Sequence, residues 1–95
     1  MTVVAELDEV TLDLEVDGDE VRRTIGRRVW ERGAWATIAI AYEQRPRDDA
    51  APWSRKLALL RMQRVRGAWK KHASLTLAGD DARELAAAIT TWLAS

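Results

Sequence analysis

The sequence predicts an α+β domain in which a curved, antiparallel sheet of four to five strands is followed by one C-terminal helix. Two observations carry this prediction. Apolar and polar residues alternate over most of residues 10–77, as in strands with one buried face. From Gly79 to Ala94 the apolar residues recur at helical spacing instead. The chain has 95 residues, enough for one domain. We assign this domain to residues 10–95, preceded by a flexible acidic arm at residues 1–9.

The strands are separated by residues that favour turns. Asp17-Gly18 suits a tight hairpin, and the run 45–54 holds two Pro and charges of both signs, as loops do. We expect β-bulges near Gly26 and at Leu59-Leu60, where the alternation is interrupted. The predicted strands are 10–16, 21–31, 35–44, 56–66 and 69–77. Their predicted inward residues include Val10, Leu12, Leu14 and Val16; Val21, Ile25 and Val29; and Ala36, Ile38, Ile40 and Tyr42.

One tetrapeptide occurs twice between predicted strands. Arg32-Gly33-Ala34-Trp35 returns as Arg66-Gly67-Ala68-Trp69. Because Gly supplies the positive φ that turns need, the repeat predicts two hairpins built alike. After the second turn, the alternation places Trp69 on one strand face and His72 on the other. The residues expected beside Trp69 are Lys71, Ala73, Leu75 and Leu77.

Charge is sorted along the chain, although the net charge is zero. Residues 1–21 hold eight acids and no base, and residues 22–72 hold fourteen bases and four acids. Such asymmetry indicates nucleic acid or an acidic partner. The alternative is two solvated faces that neutralise each other across a sheet. The acidic segment itself either completes the sheet as an edge strand or imitates phosphates and competes for the basic face.

Several functional classes are disfavoured by composition. No run approaches the ~18 apolar residues of a spanning helix, and no signal peptide opens the chain, so we expect a cytoplasmic protein without membrane attachment. The chain has no Cys and one His, and it lacks a Gly-rich phosphate loop. We therefore predict no metal site, no cofactor and no enzymatic activity.

Basic and aromatic side chains are the candidates for a binding face. Twelve of the fifteen bases are Arg, which favours forked contacts with phosphates and stacking on bases. Stacking of a base on an aromatic ring contributes about 1–3 kcal/mol. Among the Trp residues, Trp69 and Trp92 are expected in the core, whereas for Trp30, Trp35 and Trp53 packing and ligand contact remain alternatives. The candidate nucleic-acid contacts are Arg22, Arg28, Trp30, Arg32, Trp35, Thr37, Arg61, Arg64, Arg66, Lys70, Lys71 and His72.

The C-terminal helix offers a second candidate surface. A small domain is often stabilised by dimerisation, and the small residues of this helix allow close approach of another backbone. We therefore expect a homodimer. Its candidate interface residues are Ala86, Ala87, Ile89, Trp92 and Leu93.

The layout of residues 21–94, four antiparallel strands and one helix, resembles the single-stranded nucleic-acid-binding fold of Pur-alpha, Whirly and positive-cofactor-four proteins. The bacterial Pur-alpha-like proteins look nearest, through Arg32-Gly33, Lys71-His72 and Leu75-Thr76-Leu77 leading into Leu85 and Ile89. The resemblance implies an obligate dimer that places a curved sheet against single-stranded DNA or RNA. Two features depart from it: the acidic segment 1–20 lies outside the pattern, and Trp replaces the Phe that Pur-type proteins often use.

These observations lead to one functional prediction and one alternative. The chain is predicted to bind single-stranded DNA or RNA as a homodimer, with a role in transcription regulation. The alternative is a protein-interaction module whose basic face engages an acidic partner protein.

Overall fold

A computed structural model describes residues 3–4, 6–48 and 50–94, and within them the strands form one antiparallel sheet. The elements are β1 (Val3–Val4), β2 (Leu14–Val16), β3 (Asp19–Arg32), β4 (Trp35–Gln44), β5 (Ser54–Val65), β6 (Ala68–Ala78) and α1 (Gly79–Leu93). The strand order across the sheet is β1-β6-β5-β4-β3-β2. The predicted α+β class, an antiparallel sheet followed by one C-terminal helix, is confirmed.

The two faces of the sheet differ in burial, and β4 shows this most clearly. Its residues alternate between fully covered and partly covered along the whole strand. We call the covered side the core face and the opposite side the open face. The predicted inward residues of β4 are confirmed on the core face, where their neighbours come from β5 and β6. The buried set is Ala36, Ile38, Ile40, Tyr42, Ala58, Leu60, Met62 and Trp69.

The acidic N-terminal segment is packed on the core face. Leu7 lies in a single 3-10 turn, Leu7–Glu9, and it is buried together with Val10. The Arg27 guanidinium holds this segment by donating hydrogen bonds to the carbonyls of Asp8 (2.6 Å) and Val10 (2.9 Å). Part of the predicted flexible arm therefore covers the sheet, because Leu7 supplies apolar surface that a one-layer sheet lacks. Residues 1, 2 and 5 of that arm lie outside the described residues.

The predicted strand 10–16 is mostly wrong. Only Leu14–Val16 pairs with β3, and Leu14 and Val16 are exposed. Side-chain hydrogen bonds replace strand pairing before Leu14. The Thr24 hydroxyl accepts from the Leu12 amide at 3.1 Å, and the Asp13 carboxylate accepts from the Thr24 amide at 2.6 Å. That amide holds the pKa of Asp13 below its ordinary value of 3.8.

The two copies of the tetrapeptide form different turns, so the prediction of two hairpins built alike is wrong. The first loop is Gly33-Ala34, with Gly33 at φ 60°, and it leaves Trp35 opposite Arg32. The second is Arg66-Gly67, with φ of 54° and 80°, the two positive values of a type I′ turn. In this second copy Ala68 is the first residue of β6, whereas the equivalent Ala34 of the first copy still lies in the turn.

Among the described strands, the register shifts once between β2 and β3, at Leu14/Glu15, and at two places in the central strands, of which one was expected and one was not. The register between β3 and β4 shifts between Thr24 and Gly26, as the Gly predicted. No shift occurs at Leu59-Leu60, because β4 and β5 pair continuously. The second bulge lies in β6, where Met62 faces Lys71 but Arg61 faces Ala73. The extra residue moves Ala73, Leu75 and Leu77 to the open face, so the predicted grouping with Trp69 is wrong.

The helix α1 lies at the surface rather than in the core. None of its described residues is buried, and Trp92 is 71 % exposed. The expectation that Trp92 packs in the core is therefore wrong for this chain taken alone. The molecule measures only 17 Å in its thinnest direction, which corresponds to little more than one sheet with partial covering. Within the described residues, no helix is long and apolar enough to cross a membrane.

Candidate nucleic-acid interface

The open face gathers most of the predicted contact residues around the β3–β4 hairpin. Directly opposite residues in an antiparallel pair share a face. Trp30 lies opposite Thr37, and Thr37 lies opposite Arg61 on the other side. Trp35 lies opposite Arg32 and, across β5, in the same row as Lys70. Four neighbouring strands therefore contribute to one surface.

Trp35 is the centre of a tight cluster on this face. The Arg61 guanidinium carbon lies 4.8 Å from the centroid of its ring, within cation–π range. Arg61 also donates a hydrogen bond to the Thr37 hydroxyl at 3.0 Å, which fixes its direction. The His72 ring meets Trp35 edge-on, with the centroids 5.0 Å apart. His72 lies on this face because it follows Lys70 by two residues, and the bulge in β6 comes directly after Lys71.

Trp30 is the more accessible aromatic ring. It is 44 % exposed, and the Arg28 guanidinium carbon lies 5.8 Å from its ring centroid. Arg28 lies opposite Ala39, and the small side chains of β4 leave the surface beside it flat. Part of the Trp30 ring therefore faces solvent beside a flat surface.

In the part of the chain that the structure describes, the positive charges near these rings have no acidic partner. Among the described residues, no ion pair involves Arg28, Arg32, Arg61 or Lys70. Arg32 donates a hydrogen bond to the backbone carbonyl of Glu31 at 3.0 Å. By contrast, the cations at the far end of the same face have acidic partners, Glu43 and, for Arg23, also Glu20 at 3.6 Å. The Glu43 carboxylate meets Arg23 at 2.9 Å and Arg55 at 3.7 Å. Among the described cations of the open face, those without an acidic partner therefore lie at the end that carries the Trp rings.

The remaining predicted contact residues do not join this surface. Arg64 stacks on the buried Trp69 at 5.3 Å, on the core face. Together with Arg66 it lines a cleft of about 760 Å³ that also contains acidic side chains, Glu6, Asp8 and Glu31. Lys71 lies opposite Met62 on the core face, because it precedes the bulge. Arg22 shares its face with Gln44, and its guanidinium lies 5.9 Å from the Tyr42 ring.

The prediction missed a third cation–aromatic pair on the open face. The Arg23 guanidinium carbon lies 4.1 Å from the Trp53 ring centroid, and Arg23 is also the partner of Glu43. Arg23 lies directly opposite Glu43 in the pairing of β3 with β4, so the two side chains share a face. This can be deduced from the sequence only when the strand pairing is known. No spacing in the sequence links Trp53 to either residue, because Trp53 lies in the loop before β5.

An apolar depression adjoins the Trp35 cluster. It measures about 220 Å³ and lies next to Thr37 and Arg61. Leu75, one of its lining residues, is 53 % exposed. The depression is continuous with the unneutralised cations on one side and with the free edge of β6 on the other. The open face therefore offers both charged and apolar surface.

The described part of the chain holds no group of three or more His, Asp or Glu side chains arranged to bind a metal ion. Comparisons with protein-family models, with curated proteins and with solved structures found no match to this chain. The likeness to Pur-alpha-like proteins therefore stays a prediction.

Proposed function

We propose that this protein binds single-stranded DNA or RNA through the open face of its sheet, as a homodimer. The observation that supports the proposal is the combination of unpaired cations with aromatic rings on one accessible surface. Arg28 and Arg61 accompany Trp30 and Trp35 respectively, at cation–π distance. Guanidinium groups bind phosphates, and the rings offer stacking surfaces for bases.

The separation of charge between the two faces supports the same proposal. Leu7 and Val10 anchor the acidic segment on the core face, where Arg27 binds it. The acids of the Leu7–Val10 stretch therefore lie across the sheet from the Trp rings, and Glu20 meets the open face only at Arg23, at the end away from Trp30 and Trp35. A surface that stays basic in a chain of zero net charge indicates selection for an anionic ligand.

Single strands suit this surface better than duplexes do. In a duplex the bases are stacked on each other, and their faces are inaccessible to a side chain. The Trp30 ring is accessible from solvent on an open sheet, so it can stack only on a base that has left a duplex. A strand crossing the hairpin can place bases on the rings and phosphates at Arg32 and Lys70.

The test is a fluorescence titration of the full chain with labelled oligonucleotides. Single-stranded DNA, single-stranded RNA and the corresponding duplex are compared at two salt concentrations. We expect tighter binding of the single strands, with a log–log salt slope of about −2.8 if four cations each contact a phosphate at about −0.7 apiece. Equal affinity for the duplex and the single strand contradicts the stacking model.

Polyglutamate of matched charge serves as the control ligand. It offers anionic groups without bases, so it tests whether the open face engages an acidic protein instead. Competition by polyglutamate at the affinity of the single strand favours the protein-interaction module. We place the binding protein in the cytoplasm, where transcription exposes single strands, and assign it a regulatory role there.

A further inference from the structure

The apolar depression beside the Trp35 cluster lies at the end of a row of side chains that crosses the open face. Trp30 lies opposite Thr37, and Thr37 lies opposite Arg61. The next residue across is Ala73, which lines the depression. Since neighbouring strands are about 4.8 Å apart, the row is about 14 Å long. A nucleic-acid strand laid along this row therefore meets the exposed Trp30 ring first and the depression last.

The neighbouring row supplies the apolar wall of the depression. Leu59 lies opposite Leu75, and both line the depression from the open face. Leu75 is 53 % exposed, and Leu59 is half-buried. Arg28 and Ala39 belong to the same row on β3 and β4. Apolar side chains of β5 and β6 thus continue the surface that carries the binding cations.

The lining offers little to a polar group. Of its side chains on the open face, Thr37 and Arg61 carry polar atoms, and these atoms are bonded to each other at 3.0 Å. Ser74 lies opposite the buried Leu60, so its hydroxyl belongs to the core face. A base edge that brings an amino group or a ring nitrogen here loses hydrogen bonds to water without replacing them. An alkyl group gains free energy by leaving water at the same place.

We propose that the depression binds the 5-methyl group of a thymine, and that this contact makes the protein prefer thymine-containing single-stranded DNA to uracil-containing RNA. The inference rests on the proposed function, because the bound strand brings the base to this place. Thymine is the one standard base with an alkyl substituent, and uracil is the same ring without it. Ala and Thr side chains are typical contacts of this methyl group, and both types line the depression, as Ala73 and Thr37.

The size and the charge of the surroundings favour a base over a segment of protein. The depression measures about 220 Å³, below the ~300–1,000 Å³ of sites for drug-sized ligands, so it suits one ring rather than a helix. Arg61 lines it and forms no ion pair with a described acid. A nucleotide brings a phosphate for this guanidinium together with a base for the depression. An apolar peptide covers the leucines and leaves the cation without an anion.

Oligonucleotides that differ only in the methyl group test the proposal. The full chain is titrated with deoxythymidine and deoxyuridine single strands of equal length. We expect the thymine strand to bind about fourfold more tightly for each base seated in the depression, the effect of burying one methyl-sized group. A 5-methylcytosine strand should gain the same factor over a cytosine strand. Equal affinity for thymine and uracil strands overturns the proposal, whereas absence of binding to both contradicts the proposed function itself.

Leu75→Ser separates the depression from the Trp rings, on which the methyl group also adds stacking surface. The variant removes part of the apolar wall and keeps every ring and cation, so thymine and uracil strands should bind about equally, with an unchanged salt slope. Leu75→Met restores apolar surface and should recover the preference. The matched control is Leu14→Ser, which changes an exposed leucine of β2 at the other end of the sheet and should keep the preference. Far-ultraviolet circular dichroism verifies folding. A preference that persists undiminished in Leu75→Ser arises from stacking and overturns the proposal.

Discussion

The guanidinium of Arg61 is fixed over the indole ring of Trp35, 4.8 Å from its centroid, by a hydrogen bond to Thr37. This arrangement already restricts the Arg61 side chain in the unbound protein. Less side-chain entropy is therefore lost on binding than for an ordinary exposed Arg. Its outer side stays open to solvent, since Arg61 is exposed. The pair therefore presents a preformed cationic stacking surface rather than a free aromatic ring.

The Thr37 hydroxyl is expected to contribute to affinity through this geometry. Thr37→Val keeps the shape and removes the acceptor, so Arg61 loses its orientation but keeps its charge. We expect weaker single-strand binding by about 0.5–1.5 kcal/mol, the value of one hydrogen bond, with the salt slope unchanged. A fluorescence titration at two salt concentrations measures both. A changed slope shows that Arg61 also lost its phosphate contact.

Replacing the Trp30 ring tests stacking directly. Trp30→Ala should cost about 1–3 kcal/mol of single-strand affinity without altering the salt dependence. The matched control is Trp30→Phe, which retains a ring and should recover most of the loss. If Trp30→Phe binds as weakly as Trp30→Ala, the contribution of this residue is not stacking. Duplex binding should be insensitive to both changes.

The unpaired cations are expected to set the salt dependence. Arg28→Ala and Lys70→Ala should each reduce the magnitude of the log–log slope by about 0.7 and weaken binding to all sequences alike. Arg64→Ala removes the same charge from the core face, where Glu31 and Asp8 lie nearby, and serves as the control. An equal loss of slope in Arg64→Ala contradicts the assignment of binding to the open face.

The acidic N-terminal segment is expected to act on stability rather than on binding. Leu7→Ala removes a buried side chain and should lower the free energy of unfolding by about 2–5 kcal/mol, measured by urea denaturation. Glu9→Gln with Glu15→Gln neutralises two exposed acids and should leave both stability and single-strand affinity unchanged. Tighter binding by this neutralised chain at low salt revives the model in which the segment imitates phosphates.

The hydrogen bond between Asp13 and Thr24 predicts a pH dependence. Because the folded chain holds the pKa of Asp13 below 3.8, its contribution to stability is fully present above that pH. The contribution is lost as pH falls through the lowered value. Asp13→Asn should therefore reduce the melting temperature near neutral pH and have little effect in strong acid. A difference between the two proteins that stays constant from neutral pH into strong acid argues against this bond.

Elements with an unbroken period could be predicted from the sequence alone. The alternation of β4 gave its bounds and its core residues, and the Asp17-Gly18 turn was also correct. The helix was placed to within one residue of its observed end. These predictions succeed because a strand with one buried face needs an apolar residue at every second position, and this pattern is visible in the sequence itself.

The N-terminal segment shows where local patterns fail. Its alternation predicted a strand, but Leu7 and Val10 pack while Leu14 is exposed. The decisive interactions are made with Thr24 and Arg27, residues more than ten positions away along the chain. A period measured within the segment contains no information about these distant partners.

The sequence by itself determined the strand–helix order, the sorting of charge and the turn residues of this protein. Only the tertiary structure decided which side chains share a face. Trp35 and Trp69 follow the same tripeptide, yet they lie opposite Gln63 and Arg64, adjacent residues of β5 that point to opposite sides. The reason is physical: a one-residue difference in turn position, or one bulge, reverses the face of every later residue in the strand. Such a difference depends on strand pairing, which no local pattern encodes.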